Sequence, residues 1–274
     1  MTMAPPTIQT VPANGITVAY TRSGQGPAVV LLHGGEADHG MFDSLVPLLA
    51  PRLDVIAPDQ RDSGATANPA ADYTMADLAD DVAALIGALG LPAAAVVGFS
   101  FGGMVAQELA IRHPQQVGHL VLAATTPGGA LAVEKLDDMI RAAAARAQAE
   151  MKMSPQEKAQ ARARLLFGAS YLAAHPEAVA QLQAVLVERP MDAGRRRGMA
   201  ALRHDTGERL GQVRAPTLVL CGSEDAAIAP ENGARIAARI PGARLERIDG
   251  AGHALSLEQP QRVAALITQF VAGR

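Results

Sequence analysis

A single serine stands among glycines in Gly98-Phe99-Ser100-Phe101-Gly102, where the apolar run Ala94–Val97 gives way to a helix-forming stretch. The pattern G-x-S-x-G on a strand-to-helix turn lifts the hydroxyl out of the sheet edge on a strained backbone. Side chains at Gly98 and Gly102 would collide with neighbouring elements. A serine hydroxyl is a weak nucleophile at neutral pH and needs a base beside it. His253, in GAGH after the last predicted strand, falls on the same edge of the sheet. A histidine base needs an acid that fixes its tautomer and stabilises the imidazolium. Asp225, in G-x-x-D after the strand Pro216–Cys221, meets that need. The order Ser100, Asp225, His253 is the one that accompanies an elbow-borne serine. Attack on a carbonyl also calls for two preorganised donors. One is the backbone N–H of Phe101. The other is the N–H of Gly35 in His33-Gly34-Gly35-Glu36, with Glu36 as the neighbouring alternative. Glu36, Phe99 and Met104 are the expected pocket residues.

The elements that must position these groups alternate along the chain. Ile16–Tyr20, Ala28–Leu32, Leu53–Ala57, Ala94–Val97, Leu120–Ala124, Pro216–Cys221 and Ala243–Ile248 read as strands. Continuous apolar runs such as AVVLL suit strands buried on both faces of a parallel sheet. Met41–Leu49, Thr74–Gly90, Gly102–His113, Asn232–Ile240 and Gln259–Val271 read as helices. In Thr74–Gly90, Met75, Leu78, Val82, Leu85, Ile86 and Leu89 share one face, and Gly90 and Pro92 are stop signals. From about 130 to 212 no strand is predicted. This stretch reads as several helices, one opened by the capping pattern Ser154 to Glu157. Arg195, Arg196 and Arg197 within it are read as a solvated helix face. Strand–helix alternation predicts a parallel sheet with helices on both faces, and the helical block is an insertion after the sixth strand of the main sheet. It is placed to cover the carboxyl ends of the strands, where such sheets hold their ligands.

Bulk properties exclude several functions. The chain has 274 residues, 49% of them hydrophobic, enough for a sizeable core in one α/β domain. Its net charge of −3 shows neither the basic stripe of a nucleic-acid binder nor an acidic tail. Cys221 is the only cysteine, which excludes intramolecular disulfides and cysteine-rich zinc sites, and it reads as a buried strand residue. No metal site is visible in the spacing of His39, His113, His119, His175 and His204. The N-terminal MTMAPPTIQTVPANG lacks a leader's charged and apolar regions, and no run approaches membrane-spanning length. The expectation is a cytoplasmic protein without membrane or nucleic-acid partners.

With HGG at 33–35, DQRDSG at 59–64, GFSFGG at 98–103, GSED at 222–225 and GAGH at 250–253, the chain resembles α/β-hydrolases that carry an inserted helical cap. The likeness runs from about Ile16 to Val271. It implies an α/β fold with a mostly parallel eight-stranded sheet. Residues 1–129 and 213–274 would form the core, and 130–212 the cap. It implies a serine hydrolase of a small carboxylic ester or lactone, working through an acyl-enzyme on Ser100 without a cofactor, as a monomer or homodimer. Movement of the cap would gate access. His33 would shape the oxyanion loop, and Asp59 and Arg61 would brace loops. Glu224 is the lesser candidate for the acid, and Asp249 reads as a turn residue. Relatives that open epoxides or remove halides carry an aspartate at the nucleophile, so Ser100 argues against both. The Arg61-Asp62 pair stands where D-x-R-G-x-G is usual, and resembles methyl esterases of aromatic polyketides. Met41-Phe42 stands where many relatives have tryptophan. Enol-lactonases, carbon–carbon bond hydrolases and cofactor-free haloperoxidases share the same machinery. A non-catalytic small-molecule receptor on this fold is the reading from another class.

Overall fold

Eight strands form one sheet in the order β1-β2-β4-β3-β5-β6-β7-β8. They are β1 Gln9–Ala13, β2 Ile16–Ser23, β3 Ala28–Leu32, β4 Asp54–Pro58, β5 Ala94–Phe99, β6 Val117–Ala123, β7 Thr217–Gly222 and β8 Arg244–Ile248. The structure is a computed structural model that describes residues 7–273. The opening residues of the stretch read as leaderless, 1–6, and residue 274 lie outside the described residues. β1 pairs with β2 and β2 with β4 antiparallel, and every later pairing is parallel.

The side chains of this sheet sort by strict alternation. Val30, Leu32 and Val96 enter the core cluster on one face, and Val29, Leu31, Val97 and Phe99 the cluster on the other. Each fully buried Val or Leu contributes about 1.5–3 kcal/mol. The helices are α1 Val46–Leu49, α2 Met75–Ala88, α3 Phe101–Arg112, α4 Leu136–Glu150, α5 Pro155–Leu166 and α6 Ala169–Ala174. They continue with α7 Ala178–Val185, α8 Met191–Leu202, α9 Glu231–Arg239, α10 Leu255–Glu258 and α11 Pro260–Ala272. Helix α2 starts where the sequence places it, because Thr74 and Asp77 close a capping box around its first turn. The same device, Ser154 with Glu157, opens α5. Five helices, α4 to α8, and no strand lie between β6 and β7.

β1, the stretch Met41–Leu49 and the short helix α10, which no predicted element covers, depart from the sequence reading. β1 is not among the predicted strands. It is an edge strand whose Pro12 interrupts the apolar alternation, a residue that an edge tolerates because it has no N–H to donate. Met41–Leu49 is read as one helix but is a 3-10 turn at His39–Phe42 followed by α1. Pro47 sits in the first turn of α1, where its missing N–H costs nothing, so a new helix starts there. Among the described residues no helix is long and apolar enough to cross a membrane.

Candidate functional site

Ser100 occupies the turn between β5 and α3 with φ 53° and ψ −115°. L-residues are rare there, and such strain persists only where the surroundings over-determine it. The surroundings do so here. The Ser100 N–H donates to the Ala123 carbonyl (2.9 Å), and the Ser100 carbonyl accepts from the Gly103 N–H (2.9 Å) and Thr125 Oγ1 (2.7 Å). The glycines on either side are sterically required. A Cβ at Gly98 would strike the Gly102 carbonyl, and one at Gly102 would strike the Leu32 carbonyl.

The loops after β7 and β8 bring Asp225 and His253 to this turn. His253 Nε2 lies 2.9 Å from Ser100 Oγ, and His253 Nδ1 lies 2.9 Å from Asp225 Oδ2. Asp225 is buried, and its other oxygen accepts the N–H groups of Ala227 (2.9 Å) and Ile228 (2.8 Å). Those two bonds fix the carboxylate plane and leave Oδ2 for the imidazole. The serine hydroxyl can therefore donate to Nε2 while Nδ1–H donates to Asp225, the proton order that a general base needs. Glu224, the lesser candidate for the acid, instead accepts from the N–H (3.0 Å) and hydroxyl (2.7 Å) of Ser170. Asp249 is exposed.

Gly35 and Phe101 lie side by side, since a Cβ added at Gly35 would stand 3.8 Å from the Phe101 Cβ. Among the described residues, neither backbone N–H is committed to an internal hydrogen bond. The preceding peptide is held by His33, whose Nδ1 lies 2.8 Å from the Gly34 carbonyl and whose Nε2 accepts the Gln60 N–H (3.1 Å). Burial, with Arg197 nearby, pushes the His33 pKa down to about 3. His33 is thus neutral, with its proton on Nδ1. Met41 Sδ accepts the Gly34 N–H (3.4 Å).

A cavity of about 200 Å³ opens at Ser100, with Met41, Phe99, Leu182, Leu186 and Leu257 in its wall. A second space, of about 740 Å³, lies beyond Gly35 and Phe101 and is lined by Arg162, Glu188, Arg189 and Arg197. Glu36 borders both. Of the expected pocket residues, Glu36 and Phe99 are in place. Met104 is not: it lines neither cavity that contains Ser100 and is buried in the core cluster with Leu32, Val105 and Leu122. One turn of α3 is enough to carry position 104 away from the Ser100 edge and into the core.

The arginine cluster also differs from its reading as a solvated face. Arg195 is exposed and pairs with Asp72 (2.8 Å), but Arg196 and Arg197 are buried. Arg196 forms a bidentate pair with Asp62 (2.8 and 2.9 Å). Burial works against the Asp62 carboxylate, and Arg196 more than offsets it, holding the acid below its usual range. Asp62, with φ 58°, is thus the docking point for α8. Arg189 donates to the carbonyls of Gly35 (2.7 Å), Ala37 (3.1 Å) and Asp62 (3.1 Å) and to Ser63 Oγ (3.0 Å). Sequence reasoning did not single out Arg189. It also passed over Glu258, whose buried carboxylate accepts the N–H groups of Gly252 and Gly168 at 2.9 Å and steadies the His253 loop. Burial pushes the Glu258 pKa up. No motif marks either residue, because each reaches backbone from a distant part of the chain, Arg189 at Gly35 and Glu258 at Gly168.

Asp59 and Arg61 brace loops as expected. Arg61 pairs with Asp81, and Asp59 accepts from His39 Nδ1 (2.7 Å) and from the N–H groups of His39 (2.9 Å) and Ala65 (2.8 Å). The side chains of Asp38, His39 and Asp59 come within 4.8 Å of one another, a spacing a metal could use, but both Asp59 oxygens are already spent on these bonds. Cys221 is a buried strand residue.

A family model described as the alpha/beta hydrolase fold matches residues 27–260. An uncharacterized protein of Mycobacterium tuberculosis is 37% identical over 120 residues, which is 44% of this chain but only 35% of that protein's length. A 3-oxoadipate enol-lactonase of Acinetobacter baylyi is 27% identical over 254 residues, 92% of each chain. Among solved structures, a thermophilic esterase from Thermogutta terrifontis superposes with a TM-score of 0.82 at 28% identity, covering 98% of both chains.

Proposed function

This chain belongs to the alpha/beta hydrolase fold family, and on that premise we propose that it is a serine hydrolase of small carboxylic esters or lactones, working through an acyl-enzyme on Ser100. The observation that carries the reading is the hydrogen-bonded chain Ser100 Oγ, His253, Asp225, with both links at 2.9 Å. His253 Nε2 takes the hydroxyl proton as Ser100 Oγ attacks the substrate carbonyl. The tetrahedral oxyanion is received by the N–H groups of Gly35 and Phe101, which hold no internal partner among the described residues. Asp225 stabilises the imidazolium. The proton then passes from His253 to the leaving alkoxide oxygen as the C–O bond breaks. Water, activated by the same histidine, attacks the acyl-enzyme and releases the acid and Ser100.

The helices between β6 and β7, within 130–212, act as the cap. Leu166, Leu182 and Leu186 from this segment roof the cavity at Ser100. The mostly apolar wall of that cavity suits an acyl chain. Its volume of about 200 Å³ suits a short to medium chain better than a long one. The test is a series of p-nitrophenyl esters of increasing acyl length with a lactone panel, run on the wild type and Ser100→Ala. The expected result is an optimum at short to medium length and no turnover by the variant. Undiminished turnover by Ser100→Ala rejects the proposal.

A further inference from the structure

We propose that Arg197 is a positioning residue for the oxyanion hole, acting from cap helix α8 through Gly35 and Phe101 at once. The inference rests on the hydrolase reading above and assigns a task to a buried charge that the reaction scheme leaves unused.

Arg197 is 3% exposed and touches both residues whose N–H groups would receive the oxyanion. Its Nε donates to the Gly35 carbonyl (3.1 Å), which also accepts from Arg189 Nη1 (2.7 Å). Its guanidinium carbon lies 4.1 Å from the centre of the Phe101 ring. Its Nη1 donates to the Arg61 carbonyl (2.8 Å), tying the same side chain to the 59–64 loop. Burial draws its pKa down to about 10, so the group remains a cation at neutral pH.

The need for such a clamp follows from the backbone. Gly34-Gly35 is a pair with little conformational preference of its own. The N–H of Gly35 belongs to the peptide whose carbonyl is Gly34's, and His33 Nδ1–H holds that carbonyl. The peptide on the other side of Gly35 carries the carbonyl held by Arg197 and Arg189. With both flanking peptide planes anchored, the direction of the Gly35 N–H is set before substrate arrives. Donors aimed in advance at developing charge are worth most because nothing has to reorganise during the reaction. The flat, five-donor guanidinium can stack on Phe101 and donate sideways to Gly35 in one pose, which an ammonium cannot do. The cap thus contributes to catalysis through geometry as well as by walling the pocket. A substrate that displaces α8 would also loosen the hole.

The test compares Arg197→Lys, Arg197→Met and Phe101→Leu in the full chain, using the best p-nitrophenyl ester and a fluorophosphonate probe. Phe101→Leu keeps the backbone N–H and removes the ring beneath the guanidinium. The expected result is a kcat about 10- to 100-fold lower with KM changed less than about twofold, a part of what losing a whole oxyanion donor costs. Fluorophosphonate labelling should slow by a similar factor, since its P–O group needs the same donors. Lysine should not rescue. Unchanged kcat in any folded member of the set, a loss confined to KM, or full rescue by lysine overturns the proposal. A wild-type chain that neither turns over esters nor labels refutes the hydrolase reading itself. Turnover by the wild type with kcat retained in the variants refutes only the role of Arg197.

Discussion

Replacing Ser100 by glycine should give a more stable protein than replacing it by alanine. Both substitutions remove Oγ and its bond to His253, so that loss cancels in the comparison. What differs is the backbone. At φ 53° and ψ −115°, an L-residue stores about 1–3 kcal/mol of strain. Glycine visits this mirror-β region freely and releases it. Against that gain, glycine adds about 0.4–1 kcal/mol of unfolded-state entropy and forgoes the burial of a methyl group, below about 0.8 kcal/mol. Taking the middle of each range leaves Ser100→Gly ahead by about 1 kcal/mol. For a chain of this size that amounts to roughly 2 °C in Tm. Urea unfolding of the two variants, with m-values held equal, measures the difference through the midpoints. If alanine proves the more stable by the 0.4–1 kcal/mol typical of an unstrained site, the elbow does not store strain and the reasoning fails.

Other outcomes follow from the same geometry. Gly102→Ala should cost about 1–3 kcal/mol by thermal melt, and more than a hundredfold in ester turnover, because the new methyl meets the Leu32 carbonyl, which cannot retreat from the sheet. Asp225→Asn should lower kcat about 10⁴-fold by favouring the wrong tautomer of His253, with the fold intact by circular dichroism. Leu182→Ala, in the wall of the cavity at Ser100, should move the preferred p-nitrophenyl ester towards longer chains; an unmoved optimum would remove the acyl chain from this cavity. Stability should fall as pH drops below about 6.5. Burial holds His33 near pKa 3 and His204 near 4, so the unfolded chain takes up two protons that the folded one refuses. Their contribution is fully present above the unfolded value of about 6.5 and is lost progressively below it, by about 2 kcal/mol each at pH 5. Urea midpoints at pH 7 and pH 5 test this, and His204→Phe should flatten the slope by about one proton.

The parts of this molecule that were legible in the sequence are those enforced over short distances. β3 and β5 announce themselves as unbroken apolar runs because both their faces are covered, and α2 by its apolar stripe and caps. The Ser100 turn is legible because only glycine fits at positions 98 and 102. Asp225 and His253 are legible because each follows a strand end that the sheet brings to the same edge. Met104 was misplaced for a local reason, since proximity to Ser100 in sequence does not survive one helical turn. Arg196 and Arg197 were misread because helix α8, with three successive arginines, looks solvated until Asp62 and the Gly35 carbonyl are seen against it. Those contacts span more than a hundred residues, as do the bonds of Arg189. Glu258 acts on backbone close by in the chain but also on Gly168 across it. Nothing in the local pattern of any of these residues records such a partner.

The most direct test of the central claim is a rapid-mixing experiment with a p-nitrophenyl ester of short acyl length, followed by intact-mass and peptide analysis of the quenched protein. The account predicts that an acyl group appears on the peptide containing Ser100, alongside release of up to one p-nitrophenol per chain. It predicts that both signals are absent in Ser100→Ala. Turnover with no acyl group on Ser100, or an adduct on another residue that persists in Ser100→Ala, would contradict it.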